Sequence, residues 1–110
     1  MEAEVARLLV TLDELEAKMR PRLPDFRAFG RKARFDFGDQ GSLFLDATNT
    51  PPTLTRGDGQ PDTTIRMTID DFNRMISGQL NPTLAYATGR LKVQGSMGLA
   101  LKLASLLEDG

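Results

Sequence analysis

The sequence predicts a single α/β (α+β) domain in which helices and strands pack around one apolar core. The chain has 110 residues, which is enough for one domain but not for two with separate cores. Apolar residues recur first with the period of a helix and then with the period of a strand. The most apolar stretch, GRLKVQGSMGLALKLASLL, runs from Gly89 to Leu107. Together these observations predict one domain that contains both kinds of element.

An amphipathic helix is predicted over Glu2–Arg20. Acidic residues stand near its start and basic residues near its end, which suits the helix dipole. We expect Pro21 and Pro24 to end it. Its apolar residues fall on one helical stripe, which consists of Val5, Leu8, Leu9, Leu12, Leu15 and Met19.

Strands are predicted next, because apolar and polar residues then alternate. A β-hairpin is expected over residues 34–45, with its turn at residues 39–41 (DQG). Further strands are expected over residues 53–56, 63–68 and 90–94. The residues on the inner faces of these strands are predicted to be Phe35, Phe37, Leu43, Leu45, Ile65, Met67, Leu91 and Val93.

Three helices are predicted in the second half from the residues that begin them. Residues 68–71 (TIDD) resemble a capping box and open a helix that Gly78 ends. Residues 81–82 (NP) open a short second helix, because Asn caps the amides and Pro suits the first turn. Ser96 follows a turn at Gly95 and is expected to cap the last helix. The residues expected to point inward from these helices are Phe72, Met75, Ile76, Leu84, Met97, Leu99 and Leu103.

The last helix is apolar on most of its circumference. Its polar residues, Lys102 and Ser105 with Asp109, form a single narrow stripe. Such a helix needs apolar surroundings on several sides. The helix is therefore either buried in the core or in contact with an apolar partner that binds reversibly.

The sequence contains no histidine and no cysteine. Histidine-based triads, cysteine–histidine pairs, conventional zinc sites and disulfides are therefore excluded. Residues 58–62 (DGQPD) lack the later ligands of a calcium loop, and we interpret them as a turn. We do not expect an acid–base pair among Asp36, Asp39 and Asp46. The sequence thus predicts no catalytic residue, no metal site and no cofactor.

Formal charge is unevenly distributed along the chain. Residues 18–34, the basic segment, carry seven basic residues and one acidic residue, a charge of +6, whereas the remaining positions carry −7. This segment is able to attract phosphate head groups or another acidic surface, or it is simply a solvated helix end and loop. It has few aromatic residues, so nucleic-acid binding is not expected.

The second half of the chain, residues 63–107, resembles the sterol carrier protein 2 family. The order and spacing of its motifs are specific when they are taken together, and the predicted first helix and hairpin fit the family's element order. The motifs are Thr64-Ile65, Asp71-Phe72, Gly78–Pro82 (GQLNP), Gly89–Gly95 (GRLKVQG) and Met97–Leu103 (MGLALKL).

The resemblance implies a mixed, mainly antiparallel five-stranded sheet, covered by helices that help to enclose an apolar tunnel. It implies a non-catalytic carrier of a fatty acyl chain, a fatty acyl-CoA or a sterol-like lipid. The alternative is an accessory or dimerisation subunit of a lipid- or quinone-metabolising enzyme. An anionic membrane surface is a further candidate partner. The residues expected to contact the ligand are Phe37, Leu45, Met67, Phe72, Met75, Ile76, Leu84, Leu91, Val93, Met97, Leu99 and Leu103.

Eukaryotic members of this family commonly end in a peroxisomal Ser-Lys-Leu-type signal, whereas this sequence ends in residues 108–110 (EDG). We therefore expect a stand-alone, prokaryotic-type member, for which a sterol is not the favoured natural ligand. No export signal is recognised after Met1, and no apolar run approaches the roughly 20 residues that span a bilayer. The expected location is cytoplasmic.

Overall fold

The computed structural model describes residues 11–57 and 59–108, which contain four α-helices and five β-strands. The predicted first helix before Thr11, and Asp109 of the polar stripe, lie outside the described residues. In chain order the elements are α1 (Leu12–Met19), a 3-10 segment (Arg20–Ala28), β1 (Lys32–Asp36), β2 (Ser42–Asp46), β3 (Thr53–Thr55), β4 (Thr63–Arg66), α2 (Ile69–Ile76), α3 (Pro82–Ala87), β5 (Lys92–Gly95) and α4 (Met97–Glu108).

The strands form one mixed sheet in the order β3-β2-β1-β4-β5. β1 runs parallel to β4, and the other neighbouring pairs are antiparallel. The hairpin of β1 and β2 closes through a 3-10 turn at Gly38–Gln40, where Gly41 adopts a φ of +107° that L side chains rarely reach. The predicted mixed, mainly antiparallel five-stranded sheet is thus confirmed.

Side-chain caps begin the later helices where the sequence predicts them. Thr68, Asn81 and Ser96 each accept a hydrogen bond from the amide three residues later, at 3.0, 3.1 and 3.2 Å. Each bond satisfies one of the amides that a helix leaves without an internal partner at its start.

The prolines end the first α-helix, as expected, without ending the helical course of the backbone. Pro21 and Pro24 both lie inside the 3-10 segment that follows Met19. The φ of proline is fixed near −65°, which is compatible with this backbone. Each proline lacks only the amide hydrogen that another residue would donate. The chain therefore passes from α1 to β1 through an ordered helical turn.

One face of the sheet packs against the helices and buries an aromatic cluster. Phe35 is fully buried, and its ring lies 5.0 Å from the ring of Phe72 on α2. The ring of Phe37 meets the same Phe72 edge-on at 5.4 Å. On the other face of the sheet, Phe44 is covered by the backbone at Gly59, where there is no room for a side chain.

The last helix, α4, is held at its carboxyl end. Arg22 of the 3-10 segment donates from Nη2 to the carbonyl oxygens of residues 106 and 107, at 3.2 and 2.6 Å. Carbonyls in the last helical turn have no intrahelical partner and carry the negative end of the dipole, so a guanidinium suits both needs. The helix packs inward through one buried stripe, which consists of Ala100, Leu103, Ala104 and Leu107.

We predict that Arg22→Gln lowers the free energy of unfolding by about 1–2 kcal/mol, because α4 then loses a charged donor at its carboxyl end. Urea denaturation measures this change. Arg27→Gln, an exposed neighbour in the same segment, serves as the matched control and is expected to change stability by less than about 0.5 kcal/mol. Equal losses in the two variants would contradict the capping role.

Candidate functional site

A pocket of about 380 Å³ lies where the two parallel strands, β1 and β4, end. Ligands of open sheets commonly bind in the crevice outside the carboxyl ends of parallel strands. The volume lies within the range of roughly 300–1,000 Å³ that is usual for small-molecule sites. The pocket is lined by Asp36, Phe37, Gly38, Arg66, Met67, Thr68, Asp71, Gly89, Arg90 and Lys92.

The floor of this pocket is apolar and belongs to the protein core. Phe37 and Met67 follow directly after β1 and β4, and both side chains are buried. Phe37 contacts the core ring of Phe72, and Met67 is part of the same buried cluster. The pocket therefore lies over two residues of the core, and one of them, Phe37, contacts the buried ring of Phe72.

The rim of the pocket is charged, with three cations and two carboxylates. Arg66 Nε pairs with Asp36 Oδ2 at 3.2 Å, and Arg90 Nη1 lies 3.8 Å from Asp71 Oδ1. Lys92 makes no ion pair within residues 11–57 and 59–108. The rim therefore carries one positive charge that these two carboxylates do not balance.

The sheet register brings two of these cations together. Arg66 on β4 stands directly opposite Lys92 on β5. Like charges opposite each other across antiparallel strands are destabilising. The Asp36 carboxylate already pairs with Arg66, and a further anion beside Lys92 would remove the repulsion that is left. The geometry thus favours a negatively charged group at the rim.

A second pocket, of about 360 Å³, adjoins the first through Arg90, which lines both. It lies beside the loop between α2 and α3. Its remaining lining residues are Arg74, Gln79, Leu80, Asn81, Leu84 and Thr88.

Ten of the twelve predicted ligand-contacting residues lie in or against one buried cluster. Two of them, Phe37 and Met67, also line the first pocket. Their contact with a ligand stays a prediction. Val93 and Leu99 are partly buried at the edge of the cluster, and its buried members are Phe37, Leu45, Met67, Phe72, Met75, Ile76, Leu91 and Leu103.

The prediction that Leu84 and Met97 point inward is wrong. Leu84 is 58% exposed and Met97 is 37% exposed. The short helix α3 turns Pro82 and Ala85 toward the core, and Leu84 lies about 100° away from Ala85 around the helix. Met97 opens α4 at a corner where residues 95–98 are all exposed.

The sequence did not identify Arg66, Arg90 and Lys92 as site residues. Arg66 and Lys92 alternate with apolar neighbours along the chain, which places both on the outer face of their strands. The alternation does not reveal how β4 and β5 are aligned. Only that alignment shows that Arg66 and Lys92 stand opposite each other. A pattern search along one strand could not have found this pair.

Much of the basic segment, residues 18–34, is engaged within the chain. Lys18 donates to Asn73 at 2.6 Å, Arg20 pairs with Glu16, and Arg34 donates to the Gly59 carbonyl at 3.1 Å. With Arg22, four of its seven basic side chains make such bonds. The bond from Arg20 is also the main cause that lowers the pKa of Glu16, with help from Arg56.

The described part of the chain holds no cluster of three or more acidic, histidine or cysteine side chains that suits a metal ion. Among these same residues, no helix has the length and apolar character that crossing a bilayer requires.

The family model for the SCP-2 sterol transfer family matches residues 11–108. Hydroxysteroid dehydrogenase-like protein 2 of Homo sapiens is 42% identical to this chain over 73 residues, which are 64% of this chain and 18% of that protein. The chain thus spans about a fifth of the length of the curated relatives that it matches.

Two solved structures show the same fold. Sterol carrier protein domain 2 of Helicoverpa armigera is 30% identical and has a TM-score of 0.62, with 86% of this chain and 80% of that chain covered. The palmitated SCP2L2 of Aedes aegypti also has a TM-score of 0.62, at 14% identity, with 89% and 95% covered.

We predict that Leu103→Ala lowers the free energy of unfolding by about 2–5 kcal/mol, because Leu103 is fully buried between α4 and the core. Leu101→Ala on the same helix is the matched control. Leu101 is 45% exposed, so a loss below about 1 kcal/mol is expected. Thermal or urea unfolding of both variants measures the difference. A small loss at Leu103 would instead mean that its side chain faces a cavity in the ligand-free protein.

Proposed function

Since the chain belongs to the SCP-2 sterol transfer family, we propose that it carries an apolar lipid with a negatively charged head group. A fatty acid or a fatty acyl-CoA has this chemistry. One observation carries the proposal, namely a pocket with a core-derived apolar floor and a cationic rim. The domain acts as a carrier and does not catalyse a reaction.

The floor of the pocket supplies a route for the acyl chain. Phe37 and Met67 stand between the pocket and the buried cluster. Met67 and Met75 have long, flexible thioether side chains, which adapt to apolar ligands of different shape. The acyl chain enters over Phe37 and Met67 and extends among the predicted contact residues around Phe72.

The rim supplies the site for the head group. A carboxylate or phosphate between Arg66 and Lys92 would neutralise the repulsion across β4 and β5. Arg90 adds a third donor, although Asp71 shares it. A sterol has no comparable anionic group, so the rim supports fatty acids and their CoA esters over sterols.

The relatives point to apolar lipids of two kinds. The family is named for sterol transfer, whereas the Aedes aegypti protein of the same fold is palmitated. Carriage of a palmitate-like chain by the present protein is our proposal and rests on its own pocket.

We predict saturable binding of a fluorescent long-chain fatty acid, with one ligand per chain and micromolar affinity. Burial of a sixteen-carbon chain contributes about 13 kcal/mol at ~0.8 kcal/mol per methylene. Association costs of ~4–15 kcal/mol leave a net free energy in a range that includes micromolar binding. Fluorescence titration measures it, and displacement by unlabelled fatty acid is the control. If fatty acids, acyl-CoA and sterols all fail to saturate, carriage is refuted.

The head-group site is tested in the same titration with Lys92→Gln. Affinity for the fatty acid is expected to fall about fivefold to tenfold, while affinity for the fatty alcohol of equal length stays unchanged. Lys102→Gln, an exposed lysine on α4 away from the pocket, is the matched control and changes neither affinity. An equal loss for acid and alcohol would refute the head-group site and leave lipid carriage standing.

The second candidate function is that of an accessory module for a lipid-metabolising enzyme. It is favoured by the human relative, in which the matched region is 18% of a protein with a dehydrogenase-like name. In this case the domain would present its lipid to a neighbouring enzyme. Saturable lipid binding by the isolated chain is compatible with both candidate functions. Binding to an enzyme in the absence of any lipid binding would be compatible only with the accessory module.

A further inference from the structure

We infer that the two carboxylates of the first pocket, Asp36 and Asp71, limit the head group of the lipid to a single negative charge. They act as specificity-determining residues, which favour a fatty acid over lipids with a more highly charged head group, such as an alkyl phosphate or a fatty acyl-CoA. The inference rests on the proposed lipid carriage and narrows its class of ligand.

The first observation is the balance of charge around the pocket. Three cations and two carboxylates line it, so the rim has a formal excess of one positive charge. A single carboxylate on the ligand neutralises this excess, and a second negative charge finds no further cation there. The desolvation cost of an ion grows with the square of its charge, whereas its attraction to the rim grows only in proportion to the charge. The rim therefore favours a singly charged head group.

The carboxylate of Asp36 is held in place through both of its oxygens. Its Oδ2 pairs with Arg66 Nε at 3.2 Å, and its Oδ1 accepts a hydrogen bond from the Gly38 amide at 2.9 Å. Gly38 and Arg66 line the same pocket. Asp36 would lose both contacts if it turned away, so its negative charge stays beside an entering anion.

The carboxylate of Asp71 is shared by two guanidinium groups. Its Oδ1 lies 3.8 Å from Nη1 of Arg90 and 3.8 Å from Nη1 of Arg74. The Asp71 amide donates to Thr68 Oγ1 at 3.0 Å in the cap of α2, which fixes the backbone at this position. The Asp71 side chain is only 16% exposed. Its charge therefore stays at the pocket wall and offsets the cations beside it.

The second pocket does not lift this limit. Its cations are Arg74 and Arg90, which share the Asp71 carboxylate. The two pockets together are lined by four cations and two carboxylates, which leaves an excess of two positive charges. The phosphate monoester and the diphosphate of a CoA ester together carry more negative charge than this excess.

The experiment compares two ligands that differ by one charge. Hexadecyl sulfate and hexadecyl phosphate have the same chain and a tetrahedral head group of similar size. The sulfate has one negative charge, and the phosphate has about two at ~pH 8, because its second proton is lost near about pH 6. Displacement of the fluorescent fatty acid from the full chain gives both affinities. We expect the unaltered chain to bind the sulfate about fivefold more tightly than the phosphate.

Asp71→Asn and Asp36→Asn each remove one negative charge from the rim and leave the size of the side chain unchanged. Both ligands are then expected to bind more tightly, and the affinity ratio is expected to shift about fivefold toward the phosphate. Asp70→Asn is the matched control, since it makes the same change of charge in the same helical turn. Asp70 is exposed and lies outside both pocket linings, so the ratio shifts by less than about twofold.

A gain in affinity keeps the test independent of misfolding, and a ratio between ligands of one shape does not respond to a merely structural role. The inference is overturned if the unaltered chain binds the phosphate as tightly as the sulfate, or if either pocket variant leaves the ratio unchanged. An equal shift in Asp70→Asn and Asp71→Asn also overturns it. Saturable binding of palmitate beside any of these results leaves lipid carriage standing, whereas its absence refutes carriage and this inference together.

Discussion

The parallel pairing of β1 with β4 is the constraint on which the rest of the site depends. It sets Phe35 opposite Ile65 and Asp36 opposite Arg66. The residue that follows each strand, Phe37 after β1 and Met67 after β4, then faces the core, because successive side chains of extended chain point to opposite sides. The floor and the rim of the pocket therefore arise from the same register.

The register also explains why the polar and apolar parts of the site lie so close together. Antiparallel β5 adds Lys92 beside Arg66, and α2 begins directly after Met67 with its cap at Thr68. A one-residue slip would move Met67 to the outer face and Arg66 to the core. Burial of Ile65 and Met67 in the core opposes such a slip and so fixes the cationic rim in place.

The last helix has two differently supported ends. Toward its carboxyl end Leu103, Ala104 and Leu107 are buried and Arg22 binds the last carbonyls, whereas residues 95–98, where the helix begins, are exposed. The apolar circumference that the sequence shows is thus shared between the core, through Leu103 and its stripe, and the surface, through Leu101. The alternative of a buried helix holds for the stripe that contains Leu103, while contact of another side with an apolar partner stays a prediction.

Local patterns were sufficient to predict most of the elements and their inner faces. Thr68, Asn81 and Ser96 cap helices because their side chains act over three residues, a range that a sequence displays directly. The pairing of Arg66 with Lys92 and the capping of α4 by Arg22 depend on residues far apart in the chain. The prediction that Leu84 points inward is wrong because a helix of six residues buries only a narrow face, here Pro82 and Ala85.

Methyl NMR of the protein labelled at its methionines tests lipid carriage most directly. With palmitate added to one equivalent, we expect contacts between ligand methylene protons and the methyl groups of Met67 and Met75. We expect none at Met97, which is exposed just after the end of β5. Saturating palmitate that contacts Met97 alone, or contacts neither Met67 nor Met75, would contradict binding over the floor of the pocket.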